Sequence, residues 1–373
     1  MTSELFAPLP RRQFIKTIGQ AAATAAVVSG PFAVLGQENP PKLVFALVGA
    51  AHIHTPNYIR ILKLRKDVNV KYVWDHDHAR AQKAAAELGA LVVDDDKTIW
   101  ADPEVKAVVI LSETNLHHDL VLAAAAAGKN VFAEKPMGIG SAESYEMADA
   151  LEKAHLIFTT GYFTRTVPAV QFLNQLVDKG AFGKITRVRG SNCHNGSLEH
   201  WFDTDWRWMA DPKIAGVGAF GDLGTHSLDI LMWMFGGVDA VAADIKVVTG
   251  NYGDCDESGE ALLKFKNGIT GTLGAGWVDV ANPVTLEISG TEGYGCIDRG
   301  KLYLTCKNLE GADGKSPWTK LPAPLPNPMD QFVDAVAGKP SPNLVGPREA
   351  AARVSVMEAA YRGAKQEAWV KPA

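Results

Sequence analysis

The sequence has few cysteines, and their spacing excludes two kinds of site. Only four of its 373 residues are cysteines, at positions 193, 255, 296 and 306, and no two of them form a Cys-x-x-Cys pair. Zinc ribbons and dithiol redox motifs both need such pairs. The sequence therefore predicts neither kind of site, and the spacing does not imply a disulfide.

The chain also lacks a cluster of positive charge. Its 37 Lys and Arg residues and 42 Asp and Glu residues give a formal net charge of -5, without long runs of one sign. Nucleic-acid binding needs a clustered basic face, so we expect a small neutral or polar ligand instead. With 47% hydrophobic residues and no low-complexity tract, the chain can bury large cores and is expected to form two domains.

A long uninterrupted apolar run is missing as well. The segment 17–36 is rich in alanine but is broken by Gln20 and by Ser29-Gly30-Pro31, so it predicts no stable membrane span. Before it stands Pro10-Arg11-Arg12-Gln13-Phe14-Ile15-Lys16, which is typical of a twin-arginine export signal. We predict a signal peptide over residues 1–36 and a periplasmic protein. A disordered cytoplasmic tail with a chance arginine pair is the alternative.

Residues 42–162 alternate short apolar runs with amphipathic stretches, which predicts a Rossmann-like, doubly wound parallel α/β sheet that binds a nucleotide. The connections are short, as βαβ units require. The predicted strands are Leu43–Val48, Val70–Trp74, Ala107–Leu111, Asn130–Ala133 and Leu156–Thr160. The predicted helices are Pro56–Arg65 with Thr55 as N-cap, His78–Leu88, Asp119–Ala127 and Ser141–Lys153.

The loop after the first predicted strand resembles a dinucleotide-binding fingerprint only in part. The fingerprint places glycines at positions 49, 51 and 54, but only Gly49 is present, with Ala51 and His54 at the other two. Asp75 ends the second predicted strand, where a carboxylate accepts hydrogen bonds from the adenosine ribose. A 2′-phosphate there would be a like-charge contact, softened by Arg80, so NAD is favoured over NADP. An ordinary turn and a helix-capping Asp75 are the alternatives.

After residue 162 the pattern changes to alternating strands with glycine-bearing turns. It predicts an α+β domain over residues 163–325 with a large, mainly antiparallel open sheet, followed by C-terminal helices over 326–373 that pack on the body. Lys266-Asn267-Gly268 is a hairpin signal. The predicted strands are Ile185–Ser191, Ala240–Val248, Glu260–Phe265, Ile269–Trp277, Val284–Ser289 and Leu302–Cys306. The predicted helices are Ala169–Lys179, Met329–Ala337 and Arg348–Lys365, with Pro322–Pro328 as a linker.

Two motifs in this order carry a family resemblance: Glu134-Lys135-Pro136, and Asp222-x-x-x-His226 in the second half. With the stretches around them, they make the chain resemble the Gfo/Idh/MocA oxidoreductases over nearly all of its length after residue 36. The family commonly has Thr-Pro-Asn where this chain has Glu113-Thr114-Asn115. The resemblance implies a homo-oligomer, a dimer or tetramer, and a set of cofactor contacts: Gly49, Ala51, His52, Ile53, Asp75, Ser112, Asn115, His118, Glu134 and Lys135.

The resemblance implies that Lys135, Asp222 and His226 are the catalytic set. Oxidising a secondary alcohol needs a base for the hydroxyl proton and an acceptor for the hydride, which NAD supplies. Lys135 can donate to the substrate oxygen, His226 is the better proton acceptor, and Asp222 at i−4 on the same helical face can orient the imidazole. We predict that Lys135-Pro136 is cis and that Asp229 braces the helix. The alternative is a solvated loop lysine with a surface helix pair.

The polar and aromatic stretch from Asn192 to Trp208 is the candidate for substrate recognition, because rings stack on sugar faces and charged groups bind hydroxyls. His194, His200 and Asp203 match no zinc or calcium template, so no metal is predicted there. Structural packing of the tryptophans is the alternative. The predicted substrate contacts are Tyr162, Arg165, His200, Trp206, Arg207, Asp222 and His226.

These expectations combine into an exported oxidoreductase with tightly bound NAD(H), because the twin-arginine route carries folded proteins and a periplasm has no free nicotinamide pool. We expect it to act on a secondary hydroxyl of a sugar, glycoside or cyclitol. One alternative is redox-neutral glycoside cleavage by transient oxidation and elimination, with Tyr162 or His200 as an extra base. The other alternative is a sugar sensor without turnover.

Overall fold

The computed structural model describes residues 42–341 and 343–373. The predicted export signal, residues 1–36, lies outside the described residues. Within the described part, no helix is both long and apolar enough to cross a membrane.

Six parallel strands form the first sheet, in the order β3-β2-β1-β4-β5-β6. Five of the six residues of β4 are buried. Such burial is expected in a parallel sheet, because helices cover both of its faces. The order changes direction between β1 and β4, and ligands bind at such switch points. The bounds are β1 Leu43–Val48, β2 Val68–Trp74, β3 Leu91–Val92, β4 Val105–Ile110, β5 Asn130–Ala133 and β6 Phe158–Thr160.

Five helices connect the described strands of this sheet, and side chains that alternate along β1 pack on both of its faces. Phe45 and Leu47 join one hydrophobic core, whereas Ala46 and Val48 join the other. The predicted Rossmann-like sheet is confirmed, but the predicted N-cap is wrong, because the first helix begins at Thr55 and His54 is its cap. The bounds are α1 Thr55–Leu64, α2 His78–Leu88, α3 Lys97–Ala101, α4 His117–Ala126 and α5 Ser141–Lys153.

Eight strands form the second sheet, in the order β14-β13-β12-β11-β7-β10-β9-β8. In the described chain β7 and β10 are its one parallel pair, so the predicted mainly antiparallel sheet is confirmed. The Lys266-Asn267-Gly268 turn joins β9 to β10 as predicted. The bounds are β7 Ile185–Cys193, β8 Val238–Lys246, β9 Ser258–Phe265, β10 Thr270–Gly276, β11 Val284–Gly290, β12 Gly293–Asp298, β13 Lys301–Cys306 and β14 Asp313–Pro317.

A buried helix, α8, crosses β7 and β10 and presents its first turns to the junction with the first sheet. Gly190 of β7 permits the close approach, because an added Cβ would lie 3.1 Å from the Cβ of Ser227. The last helix, α10, contacts both α5 and β8, so it links the two halves. The bounds are α6 Pro168–Asp178, α7 Pro212–Ala215, α8 Ala219–Phe235, α9 Pro328–Val336 and α10 Pro347–Gln366.

Three strands, β3, β12 and β14, were not predicted, because each lacks a clear apolar alternation. β3 has two residues, β12 contains two glycines, and β14 has the sequence Asp-Gly-Lys-Ser-Pro. Tertiary pairing decides the structure of such segments more than their own composition does. Two predicted strands are shorter in the structure: Leu156–Thr160 becomes Phe158–Thr160, and Ile269–Trp277 becomes Thr270–Gly276.

Candidate active site

The Lys135 ammonium lies against the Asp222 carboxylate where the two halves meet. Lys135 follows β5 and Asp222 lies in the first turn of α8, with 2.6 Å between Nζ and Oδ1. Trp277, directly after β10, donates its indole N–H to the other carboxylate oxygen at 3.1 Å. Burial opposes ionisation, but the Lys135 ammonium lowers the pKa of Asp222 to about 2. The peptide bond Lys135–Pro136 is cis, as predicted.

His226 is buried one turn after Asp222 on the same helix. Its ring lies 6.0 Å from the Tyr162 ring and 5.1 Å from the Phe163 ring. Burial lowers the pKa of His226 well below 6.5, so the imidazole is neutral at neutral pH. Among the described residues its Nδ1 has no hydrogen-bond partner. The neutral state of the ring, rather than this buried nitrogen, makes His226 a candidate proton acceptor. Asp222, whose oxygens bond Lys135 and Trp277, is not placed to orient it.

Two further imidazoles surround Glu134, which is fully buried. His54 Nδ1 hydrogen-bonds the Glu134 Oε1 atom at 2.9 Å, and His52 Nδ1 lies 3.9 Å from the same oxygen. The ligand-type atoms of these three residues lie within 4.8 Å of one another. However, His52 Nδ1 also accepts the backbone N–H of His54 at 3.2 Å. Hydrogen bonds thus hold His52, His54 and Glu134 together. They fix the glycine loop to the Glu134-Lys135-Pro136 segment.

The buried His52 should make the protein sensitive to acid. Burial lowers the pKa of His52 from 6.5 to about 3, although the nearby Glu134 carboxylate acts to raise it. Below about pH 6.5 the unfolded chain therefore binds a proton that the folded chain does not, and stability falls as the pH falls. We expect a contribution of about 1.4 kcal/mol per pH unit down to about pH 3. Denaturant unfolding from pH 7 to 4 should show a shallower slope for His52→Gln.

A surface histidine provides the matched control. Partial burial alone would lower the pKa of His118, but the hydrogen bonds and charges of Asp119 and Glu146 together raise it. Its stabilisation is therefore present below pH 6.5 and is lost as pH rises through the folded pKa, the opposite sign to His52. His118→Gln should leave the acid slope as steep as in the parent chain or steeper. Equal slopes in the parent and His52→Gln would show that His52 is not buried in its neutral form.

The loop after β1 has the shape of a nucleotide-binding turn. Gly49 has φ of 77°, and an added Cβ would lie 2.6 Å from the Cα of Ser112, so this position requires glycine. The N-terminus of α1 carries Pro56 and, in the described structure, no side-chain cap, which suits the anionic pyrophosphate of a dinucleotide. Trp208 of the second half donates its indole N–H to the Ala51 carbonyl at 3.2 Å.

A cavity of about 430 Å³ lies between this loop and α2. Ala50, Ala51 and His52 form one side, and Asp77 and Arg80 form the other. Trp206, predicted as a substrate contact, lines this nucleotide cavity with its neighbour Asp205. The residues present therefore fit a dinucleotide in shape and in the location of the turn.

Some of the other predicted cofactor contacts lie near the glycine loop or the junction, and others lie away from both. Ser112 is buried under Gly49, and Glu134 and Lys135 lie at the junction, whereas Asn115 is exposed. His118 lies away from the loop, on the surface between α4 and α5, where it contacts Asp119 and Glu146. The neighbouring His117 is the buried histidine, between the carbonyls of Ser112 and Pro136. The histidine that holds the loop after β4 against the Lys135-Pro136 segment is therefore His117 and not His118.

The predicted substrate contacts are not all brought together either. Tyr162 hydrogen-bonds Thr225 at 2.7 Å, and Arg165 is buried in an ion pair with Asp229 at 2.6 Å, so both brace α8. His200 and Arg207 are more than half exposed and both contact Asp203. The predicted bracing role of Asp229 agrees with its contacts. Arg165 is therefore a structural residue in this geometry rather than a cleft residue.

A second cavity, of about 270 Å³, adjoins His226 in the second half. Asn192 and Ser191 of β7 and Thr164 contribute polar groups, and Val170 and Ile230 contribute apolar walls. Such a mixture of apolar walls and a few polar groups is typical of small-molecule sites. Asn192 belongs to the stretch that the sequence indicated, but most of the other lining residues carry no motif.

Some residues at the junction were not predicted. Thr114 and Trp208 line a small space together with His52, Lys135 and Asp222. Trp208 could have been predicted, because it belongs to the Trp206-Arg207-Trp208 triplet. Trp277 follows a strand and belongs to no motif. Only the fold brings Trp277 to Asp222.

Fold and site together define a dinucleotide-binding oxidoreductase. The family model for the oxidoreductase family with an NAD-binding Rossmann fold matches residues 43–162, and the GFO/IDH/MocA C-terminal domain model matches residues 170–294. The chain belongs to the Gfo/Idh/MocA oxidoreductase family.

Curated relatives include dehydrogenases of sugars and cyclitols. The chain is similar to levoglucosan dehydrogenase of Pseudarthrobacter phenanthrenivorans, with 30% identity over 53% of this chain and 57% of that protein. It is also similar to myo-inositol 2-dehydrogenase of Thermotoga maritima, with 29% identity over 59% and 64% of the two chains. These alignments thus span between half and two thirds of the relatives' lengths.

A solved levoglucosan dehydrogenase in complex with NADH has the same fold. Its TM-score is 0.74, at 24% identity over 89% of this chain and 99% of that one. At this identity the likeness supports the fold alone.

Proposed function

We propose that the protein is an NAD-dependent oxidoreductase that interconverts a secondary hydroxyl and a ketone on a sugar, glycoside or cyclitol. The observation that carries this proposal is the Lys135–Asp222 pair at 2.6 Å with neutral, buried His226 one turn away, beside the glycine loop. Family membership and the names of the dehydrogenase relatives support the reaction class.

Each residue of this trio has a distinct proposed role. NAD, when bound along the Gly49 loop, supplies the hydride acceptor. Lys135 donates a hydrogen bond to the substrate oxygen and stabilises negative charge as it develops there. His226 accepts the hydroxyl proton on its neutral imidazole. Asp222 holds the ammonium in place and, with Trp277, keeps it from turning away.

The 270 Å³ cavity beside His226 is the proposed substrate site. Its volume suits a single ring, and Asn192 and Thr164 offer an amide and a hydroxyl to substrate hydroxyls. The relatives named for levoglucosan and inositol support a ring-shaped polyol. We further propose that the protein is exported through the twin-arginine signal at residues 1–36 with its NAD tightly bound, and that it is a homo-oligomer.

Redox-neutral glycoside cleavage is the second candidate, and two contacts weigh against it. It needs an extra base, but Tyr162 is buried in a hydrogen bond to Thr225, and burial raises its pKa. His200 is 61% exposed and pairs with Asp203. Neither residue is free and close to the cavity, so net oxidation is favoured. A sensor is disfavoured because all three members of the catalytic trio are present.

Absorbance in the near ultraviolet tests the proposal. Purified protein, with no nucleotide added, is mixed with a panel of sugars, glycosides and cyclitols. We expect at least one of them to produce the reduced-nicotinamide band, because the proposed bound NAD accepts its hydride. The matched control is the same protein stripped of nucleotide, which should respond only after NAD is added. Cleavage of a glycoside without any band would favour the redox-neutral reaction instead.

A further inference from the structure

The Asp75 carboxylate has no free position for a ribose hydroxyl. Arg80, in the first turn of α2, donates from Nε to Oδ2 and from Nη2 to Oδ1, both at 2.8 Å. The backbone N–H groups of Ala50 and Asp77 donate to the same two oxygens at 2.7 and 2.8 Å. A carboxylate offers about four acceptor positions. All four are filled, so a ribose can bind Asp75 only after Arg80 moves.

A second carboxylate holds Arg80 from the other side. Glu113, in the loop after β4, accepts from Arg80 Nη2 at 2.9 Å, and its side chain is 10% exposed. His76 lies 3.1 Å from the same carboxylate and 3.0 Å from the guanidinium. Two carboxylates thus share one guanidinium, so these three groups together carry a net negative charge.

We propose that Arg80 and Glu113 determine which dinucleotide the cleft accepts, with Glu113 as the residue that keeps the guanidinium from a 2′-phosphate. This inference rests on the proposed function, in which NAD binds along the Gly49 loop. The ribose hydroxyls displace Arg80 from Asp75, and Glu113 retains the displaced guanidinium.

The charges decide the selectivity. A 2′-phosphate arriving at Asp75 meets two carboxylates, and the one guanidinium that could pair with it is already bound to Glu113. A ribose hydroxyl carries no charge and meets no such repulsion. Without the Glu113 charge, Arg80 is free to make bidentate contacts with a phosphate, as guanidinium groups readily do.

Competitive nucleotide retention tests this inference without measuring turnover. The parent chain and Glu113→Gln are each stripped of bound nucleotide and then equilibrated with equal amounts of NADH and NADPH. Free nucleotide is removed by gel filtration, and the retained nucleotides are released by denaturation and quantified. We expect the parent chain to retain mainly NADH. In Glu113→Gln the ratio of NADPH to NADH should rise about tenfold or more.

Two variants separate the proposed mechanism from a general effect of charge. Glu87→Gln removes a negative charge from the wall of the same 430 Å³ cavity and should change the ratio by less than about twofold. In Arg80→Gln/Glu113→Gln the gain of NADPH should disappear, since the guanidinium that binds the phosphate is missing. A gain that persists in this double variant would overturn the proposal.

The outcomes also distinguish this inference from the proposed function. A parent chain that retains neither nucleotide overturns both. A parent chain that retains NADH while Glu113→Gln shows an unchanged ratio overturns only the role of Glu113. Thermal unfolding of each variant verifies that it is folded before the ratio is interpreted.

Discussion

Replacing Lys135 with alanine is expected to reduce turnover about a thousandfold, which is within the range for losing a positioned proton donor. The ammonium lies at the junction, 3% exposed, beside both Asp222 and the space lined by His52 and Thr114. No other described lysine or arginine contacts Asp222 in the structure, so no nearby cation can replace it. The measurement is the rate of reduced-nicotinamide formation with the substrate found in the absorbance panel.

The same substitution leaves a buried carboxylate without its cation. Asp222 would keep only the indole hydrogen bond from Trp277, and breaking a buried ion pair in this way costs about 3–5 kcal/mol. Loss of activity could then reflect unfolding. Lys135→Ala/Asp222→Asn removes both charges and should recover most of the stability without the activity, which separates the two effects.

Lys129→Ala provides the matched control. Lys129 is also buried, and its ammonium donates to the Asp102 carbonyl at 2.6 Å, remote from the Lys135–Asp222 pair. This variant should lose some stability and keep its turnover. If Lys135→Ala, shown to be folded, kept the parent rate, the lysine would have no role in the reaction. The sensor interpretation would then regain support.

The Rossmann half was predictable because its strands carry their own signal. Strands such as β4 are short buried apolar runs, and helices such as α1 and α2 have clear apolar faces, so sequence periodicity indicates a parallel sheet. In the second half, β14 contains no large apolar residue, and β12 contains two glycines. Their place at one end of the sheet comes from pairing with β13, which no local pattern reveals.

The candidate site was predictable only where residues belong to motifs. Lys135 follows β5, and Asp222 and His226 lie one turn apart in the N-terminal half of α8, so the two motifs meet at the junction. Asp75 has the predicted position, but its saturation by Arg80 depends on a side-chain conformation that the sequence does not specify. The choice between His117 and His118 depends on the start of α4, which the structure places two residues earlier than the pattern indicated.

Arg165 illustrates the same limit for buried charge. As an arginine close to Tyr162, it was a plausible substrate contact. In the structure its Nε and Nη2 atoms donate to the two oxygens of Asp229 at 2.8 and 2.6 Å. Arg353 of α10 donates to the same carboxylate at 3.0 Å. The partner of Arg165 comes from distant parts of the chain, so no spacing rule could have identified it.

Replacing Asp229 with alanine is therefore expected to destabilise the protein by about 3–5 kcal/mol, because it leaves two buried guanidinium groups without their shared carboxylate. Asp229 is fully buried, and Arg165 and Arg353 are 5% and 4% exposed. Glu349, which contacts both arginines at 3.0 and 3.2 Å, is 40% exposed and can compensate only in part. Thermal unfolding monitored by circular dichroism measures the loss as a lower midpoint.

Glu349→Gln is the control for this prediction. It touches the same two arginines from the solvent side, where screening is stronger, so we expect a loss of about 1 kcal/mol or less. Equal losses in the two variants would mean that burial does not set the strength of the network.

The larger loss of stability expected for Asp229→Ala also bears on the reaction. Asp229 fixes α8 to the segment after β6 and to α10, less than one turn beyond His226, so a weakened anchor should let Asp222 and His226 move relative to Lys135. Among Asp229→Ala molecules that remain folded, turnover should fall more than it does in Glu349→Gln, because the proton-transfer groups require a fixed geometry.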